Sequence, residues 1–157
     1  GVQVTFLPYA WMNVLVTLLW IVGITNAFNL LDNLDGLSAG IAFVASLVLL
    51  LNSWPHGELF ISLILLAFMG SLLGFLFFNF QPASVFLGDC GSLFIGFVMG
   101  SLTLLPRYVN SSSSTLFPVL MPLLVLAVPL IDTATVIVIR VREGRNGITR
   151  ADARQEH

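Results

Sequence analysis

The sequence predicts an all-α, polytopic transmembrane helical bundle with about five spans. Three observations carry that expectation. Hydrophobic residues make up 57% of the 157 residues and charged residues only 9%, the composition of a membrane protein rather than of a soluble core. The apolar residues fall into five runs separated by short polar breaks. At 1.5 Å of rise per residue, about 20 residues cross a hydrocarbon layer of roughly 30 Å. Finally, the polar residues between the runs collect on one side of the membrane once the loops are alternated. A net charge of −2 and the absence of lysine give no reason to expect nucleic acid. The single cysteine, Cys90, excludes an internal disulfide.

In chain order the expected spans are 10–31, 36–51, 59–78, 86–105 and 116–139, followed by a cytoplasmic tail at 140–157. The stretch before Ala10 is mixed and reads as a loop. The first span is continuous apolar sequence with one glycine, Gly23. Between the second and third, Asn52-Ser-Trp-Pro55-His56-Gly57-Glu58 has turn chemistry. Residues 79–84 are a polar break. The fourth run is short and spans fully only if it starts near Phe86 or the bilayer is locally thin. A serine-rich loop with Arg107 precedes the fifth run, in which Pro118, Pro122 and Pro129 are expected to kink the helix. The start at Gly1 shows no signal peptide, and the chain stops at His157 after a run of charges. We expect a single membrane domain that forms the C-terminal part of a longer protein.

Five spans place the loops at 32–36 and 79–90 and the tail on one side. Five of the six arginines, Arg140, Arg142, Arg145, Arg150 and Arg154, lie there. The positive-inside rule makes that side cytoplasmic. Asp32, Asp35 and Asp89 lie on the same side, whereas Glu58 is outside and Asp132 lies within the fifth span.

Four constellations follow. In Asn26-Ala-Phe-Asn29-Leu-Leu-Asp32-Asn-Leu-Asp35-Gly36, polar residues recur every third position beside a membrane core. A carboxylate in hydrocarbon costs roughly 2.5–3.5 kcal/mol on insertion scales, so two of them require a compensating role. The row aligns on one face only if the backbone tightens towards 3₁₀ geometry. Gly36 is a place for the helix to break, and Asp35 is a fair N-cap for the second span. The second constellation is Phe86-Leu-Gly88-Asp89-Cys90-Gly91-Ser92. Its glycines let the backbone approach a ligand, and Phe86 either stacks on a ring or anchors at the interface. A nucleophilic Ser92 lacks an accompanying base. The third, Pro129-Leu-Ile-Asp132-Thr133, marks either a helix–helix bond or a site residue. The fourth is the arginine-rich tail, read as ordinary flanking charge or as a phosphate-binding cluster. Together they offer oxygen ligands for Mg²⁺, cations for phosphates and a glycine-rich loop at one membrane face, a set suited to a diphosphate substrate.

These residues resemble the polyprenyl-phosphate N-acetylhexosamine-1-phosphate transferases, family 4 of the glycosyltransferases. The likeness rests on Asn26 to Gly40, on Phe86 to Gly96, and on Pro129 to Thr133 with Arg140 and Ala151-Asp152 after them. It implies transfer of a sugar 1-phosphate from a UDP-N-acetylhexosamine to a polyprenyl phosphate within the lipid bilayer, with UMP released, in cell-envelope polysaccharide synthesis. The cofactor implied is Mg²⁺, with Mn²⁺ as an alternative. The resemblance implies Asp89 as the main metal ligand with Asn29 near the metal, and Asp32, Asp35 and Asp89 as catalytic acids. It implies Asn29, Phe86, Gly88, Arg140 and His157 as substrate-binding residues, with Phe86 on uracil and Arg140 and His157 towards the diphosphate and sugar. The tail favours N-acetylglucosamine 1-phosphate, and the peptidoglycan-precursor phospho-N-acetylmuramoyl-pentapeptide transferase is the alternative. A homodimer is also admitted.

The chain departs from the family in four ways. It lacks the adjacent Asp-Asp pair of an earlier loop, and full members have about twice as many spans. Asn33 replaces a glycine, and a single His157 stands where two or three histidines are usual. These 157 residues alone are therefore expected to be inactive. Two rivals stand further off. A CDP-alcohol phosphotransferase needs Ala-Arg after Asp-Gly, whereas Ala39-Gly40 follows here. A transporter with buried acids predicts polar residues near mid-membrane on several spans.

Overall fold

The computed structural model describes residues 9–105 and 126–142. All the regular structure among them is helical: α1 (Ala10–Leu31), α2 (Leu37–Ser53), α3 (Leu59–Asn79), α4 (Gly88–Leu102) and α5 (Ala127–Arg142). Helices α1 and α3, with 22 and 21 residues, are long and apolar enough to cross a membrane. The other three are apolar but shorter. At 15 residues α4 rises about 22 Å. It starts at Gly88 rather than Phe86 and ends at Leu102, where Thr103 turns its hydroxyl back onto the Gly100 carbonyl at 3.0 Å. The first ten residues of the expected fifth span, 116–125, lie outside the described residues.

Each helix buries one stripe. On α1 the stripe is Asn13, Thr17, Ile24, Ala27, Phe28 and Leu31, a spacing that keeps to one face of a 3.6-residue helix. On α2 it is made of small residues, Ser38, Ala39, Ala42, Ala45 and Ser46, ending in Leu49 and Ser53. Small residues let helix backbones approach, which supplies the packing that lipid-embedded helices rely on. The main pairings are α1 with α4 and α2 with α3, and α5 lies against α1. Ile24, Phe28, Leu49, Leu65, Leu72, Ile95 and Met99 form a common core. The opposite faces of α1 and α3 expose Leu19, Val22, Phe60, Leu63 and Phe77, which suits contact with acyl chains rather than water.

At the α1–α4 seam the two helices come very close. A Cβ on Gly96 would lie 2.6 Å from the Thr25 Cα, and one on Gly100 would lie 3.4 Å from the Ile21 Cα. The backbones therefore touch where α4 carries these two glycines one turn apart. Further along, Trp20 Nε1 donates to Thr103 Oγ1 at 3.1 Å. This seam fixes the rotation of α1 against α4, and with it the side chains at the end where Asn29 meets Asp89.

Candidate active site at one end of the bundle

Helix α1 stops at Leu31, five residues before Gly36. The Asp32 N–H reaches back three residues to the Asn29 carbonyl at 3.4 Å, so the last turn tightens towards 3₁₀ geometry. Gly36 instead begins α2, at φ 73°, a left-handed conformation that suits glycine. The expected capping by Asp35 is corrected. The α2 cap position is Gly36, without a side-chain cap. The Asp35 carboxylate turns away and accepts the Ala83 N–H on Oδ2 at 3.3 Å.

Across the seam, α4 delivers the second motif. Gly88, at φ 65°, opens the helix, and Asp89 stands in its first turn, where a carboxylate is favoured by the helix dipole. Asn29 Nδ2 donates to Asp89 Oδ1 at 3.2 Å and to Ser92 Oγ at 2.9 Å. Ser92 is fully buried, and its hydroxyl is within reach of the Gly88 and Asp89 carbonyls at 3.1 and 3.2 Å. It orients its neighbours, so its own oxygen is already engaged.

Asp32 completes the cluster. Its carboxyl titrates above the ordinary range, first because of its burial and then because the Asp89 and Asp35 charges are close; the Gly88 backbone N–H opposes the shift. The loop after α1 and the start of α4 thus bring Asp32 near both Asp89 and Asp35, with Asn29 bonded to Asp89.

The remaining predicted positions are spread more widely. Phe86 is 73% exposed beside this cluster in sequence, and Gly88 is exposed. Asn26 is exposed on α1. Asp132 is exposed on α5, and it is not among the groups acting on Asp32. Arg140 lies near the C-terminal end of α5. His157, Ala151 and Asp152 lie outside the described residues.

Two residues of this region escaped sequence reasoning: Ser92 in its orienting role, and Asn79. Asn79 is the last residue of α3 and only 4% exposed. Its Oδ1 accepts the Gly36 N–H at 2.9 Å and its Nδ2 donates to the Val85 carbonyl at 2.8 Å. An asparagine at the head of the polar break 79–84 was the only available signal, and it also fits an ordinary loop.

The sequence matches the family model described as glycosyl transferase family 4 over residues 2–106. It is 44% identical over 131 residues to the "Probable undecaprenyl-phosphate N-acetylglucosaminyl 1-phosphate transferase" of Bacillus subtilis, covering 83% of this chain and 36% of that protein. Phospho-N-acetylmuramoyl-pentapeptide-transferases are similar too. That of Levilactobacillus brevis is 43% identical over 95 residues, 60% of this chain and 29% of the relative. That of Chlamydia muridarum is 43% identical over 113 residues, 68% and 34%. The chain spans about a third of the length of the curated relatives it matches.

Proposed function

Because this chain belongs to glycosyl transferase family 4, we propose that the protein moves a sugar 1-phosphate from a UDP-sugar to a polyprenyl phosphate. A lipid phosphate oxygen attacks the phosphorus that bears the sugar, the bond to UMP breaks, and a lipid diphosphosugar forms. The observation that carries this reading is the pair of hydrogen bonds from Asn29 to Asp89 and Ser92. They join the first and second motifs, 60 and 63 residues apart in sequence, at one end of the bundle. The longer match to the Bacillus subtilis relative supports N-acetylglucosamine 1-phosphate as the group transferred. The pentapeptide transferases, with nearly equal identity over a shorter stretch, support the peptidoglycan precursor as the second reading.

A divalent cation, Mg²⁺ or alternatively Mn²⁺, fits the residues present. Asp32 stands near the charges of Asp89 and Asp35, and its proton affinity is raised first by burial and then by those charges. Among the described residues no three Asp, Glu, His or Cys side chains are placed to hold an ion by themselves. Mg²⁺ commonly takes one or two carboxylates and completes its shell with water and substrate phosphates. Asp89 and Asn29 are the residues that would hold it. When bound, the ion supplies charge neutralisation to the diphosphate and the departing UMP.

The chain's own residues supply the rest of the proposal. The Asn29 amide nitrogen, held by Ser92, fixes the Asp89 carboxylate. Asp32, whose proton affinity is raised, is the carboxylate proposed to take a proton from the lipid phosphate. Exposed Phe86 is proposed to stack on uracil, with Gly88 leaving room for the nucleotide. Arg140 and His157 are proposed to face the diphosphate and sugar. The cluster is proposed to lie at the cytoplasmic face of a multi-pass protein of the cell membrane. UDP-N-acetylhexosamine is its soluble partner, polyprenyl phosphate its lipid partner, and a homodimer the assembly to test. The activity belongs to the intact polypeptide, and these 157 residues alone are proposed to be inactive.

The test supplies the intact protein with undecaprenyl phosphate, Mg²⁺ and either UDP-N-acetylglucosamine or UDP-N-acetylmuramoyl-pentapeptide. UMP and a lipid-linked product with the first donor support the reading. Product only with the second moves it to the peptidoglycan precursor, and no UMP with any UDP-sugar refutes transfer.

A further inference from the structure

We propose that Asn79 is a positioning residue that ties the loop carrying Asp32 and Asp35 to the segment carrying Phe86, Gly88 and Asp89. The proposal rests on the transfer reading above, because it assigns Asn79 the task of spacing those groups for the reaction. Asn79 ends α3, which bears none of the candidate site residues. Both ends of its buried amide are nevertheless engaged, and on different loops. Oδ1 takes the N–H of Gly36, the residue after Asp35, at 2.9 Å. Nδ2 gives a hydrogen bond to the carbonyl of Val85, the residue before Phe86, at 2.8 Å.

The surroundings support a clamp. A Cβ on Gly36 would sit 3.6 Å from the Asn79 carbonyl oxygen, so the α1–α2 loop lies directly on the end of α3. The turn between α3 and α4 closes onto that same end: the Phe78 carbonyl accepts Ser84 N–H at 2.9 Å, Ser84 Oγ at 3.0 Å and Val85 N–H at 3.3 Å. A second strut, from Ala83 N–H to Asp35, runs parallel to the Asn79 bridge. By contrast, the helices are held by apolar side chains such as Phe28, Leu49, Leu65 and Met99, whereas both side-chain hydrogen bonds of Asn79 go to loop backbone. Its loss should therefore loosen the loops and leave the helices paired. Asparagine suits this place because it offers one acceptor and one donor at the correct reach. Aspartate would keep the acceptor, lose the donor and set a charge against the Val85 carbonyl; glutamine is longer by one methylene.

The experiment uses the intact protein in lipid nanodiscs and compares wild type with Asn79→Ala, Asn79→Asp and Leu49→Ala. Leu49 is fully buried in the second half of α2 and serves as a purely structural control. Hydrogen exchange is read on peptides covering 32–40 and 80–90, and UMP release gives kcat and KM. In Asn79→Ala both peptides should exchange at least tenfold faster while the middles of α1 and α3 stay protected. Since a displacement of about 1 Å at a reacting centre can cost roughly a hundredfold, kcat should fall by about that factor. Asn79→Asp, which keeps the acceptor for Gly36 N–H but sets a charge against the Val85 carbonyl, should speed exchange more at 80–90 than at 32–40. Leu49→Ala should lower the melting temperature yet keep kcat within about twofold. Unchanged exchange at 32–40 in Asn79→Ala overturns the proposal, including the case in which kcat falls, since the amide would then act on substrate directly. Faster exchange with full kcat also overturns it. A wild type that releases no UMP defeats the transfer reading instead, and the exchange arm still decides the tie.

Discussion

Asn29 ties the two motifs together through its nitrogen. The amide donates to Asp89 and Ser92, so the serine hydroxyl fixes the asparagine and the asparagine fixes the carboxylate. Groups that orient a metal ligand typically carry roughly 10–100-fold of metal affinity or activity. Ser92→Ala should therefore raise the Mg²⁺ concentration needed for half-maximal UMP release by about that factor, with the protein still folded; an unchanged Mg²⁺ dependence would show that Ser92 orients nothing. Asp32 gives a pH-dependent expectation. Its carboxyl holds a proton more tightly in the folded chain than the ordinary aspartate value of about 3.9. Ionising it therefore costs the fold. That cost is absent below the unfolded value, grows as pH rises through the folded value, and is complete above it. Metal-free Asp32→Asn should melt at a higher temperature than wild type at pH 7, and the gap should close as pH falls below about 4. Equal melting at neutral pH would contradict the burial of Asp32 and its closeness to the other two acids. The acids were legible in the sequence because a carboxylate is costly in so apolar a chain. Ser92 and Asn79 were not, because a buried polar residue at a helix end looks like any other until its partners are placed. Asp35 was misread as a cap because its alternative partner, the Ala83 amide, is 48 residues away.

Each helix was legible as an apolar run, but the partners were not. Lipid-facing and protein-facing surfaces are both apolar, so periodicity does not reveal that α1 packs on α4 while α2 packs on α3. What selects the α1–α4 pairing is Gly96, whose missing side chain admits the Thr25 backbone. Gly96→Ala would place a methyl 2.6 Å from a backbone atom that cannot rotate away. Overpacking of this kind typically costs about 1–3 kcal/mol, and it should also part Asn29 from Asp89. Gly74→Ala on α3 meets nothing within 4 Å; it should be neutral or stabilising by up to about 1 kcal/mol through helix propensity. Thermal melting of the two variants in the same detergent checks the pair. Similar melting temperatures would mean that the seam yields more easily than its contacts suggest.

For the whole molecule, the bonds from Gly36 to Asn79 and from Asn29 to Asp89 place the α1–α2 and α3–α4 connections at the same end. Loop alternation along the sequence had already suggested this, and the arginine bias is the ground for proposing that this end is cytoplasmic. In sealed inside-out vesicles, an impermeant maleimide should label Cys90, which is exposed beside Asp89, and should miss a cysteine placed at exposed His56 in the α2–α3 turn. The reverse pattern would invert the proposed orientation. In such an experiment any other cysteine of the intact protein is replaced first. The sequence could set out this sidedness because it needs only the count of spans and the position of charge, whereas the rotation of each helix needs the seam.

The most direct measurement is the rate of Mg²⁺-dependent UMP release from UDP-N-acetylglucosamine and undecaprenyl phosphate by the intact protein, for wild type and for Asp89→Asn. The proposed site predicts release by the wild type and a loss of roughly a hundredfold or more in the variant, with the Asn29 and Ser92 side chains left in place. Release at the wild-type rate by Asp89→Asn, with the same dependence on Mg²⁺, would contradict the assignment of the site.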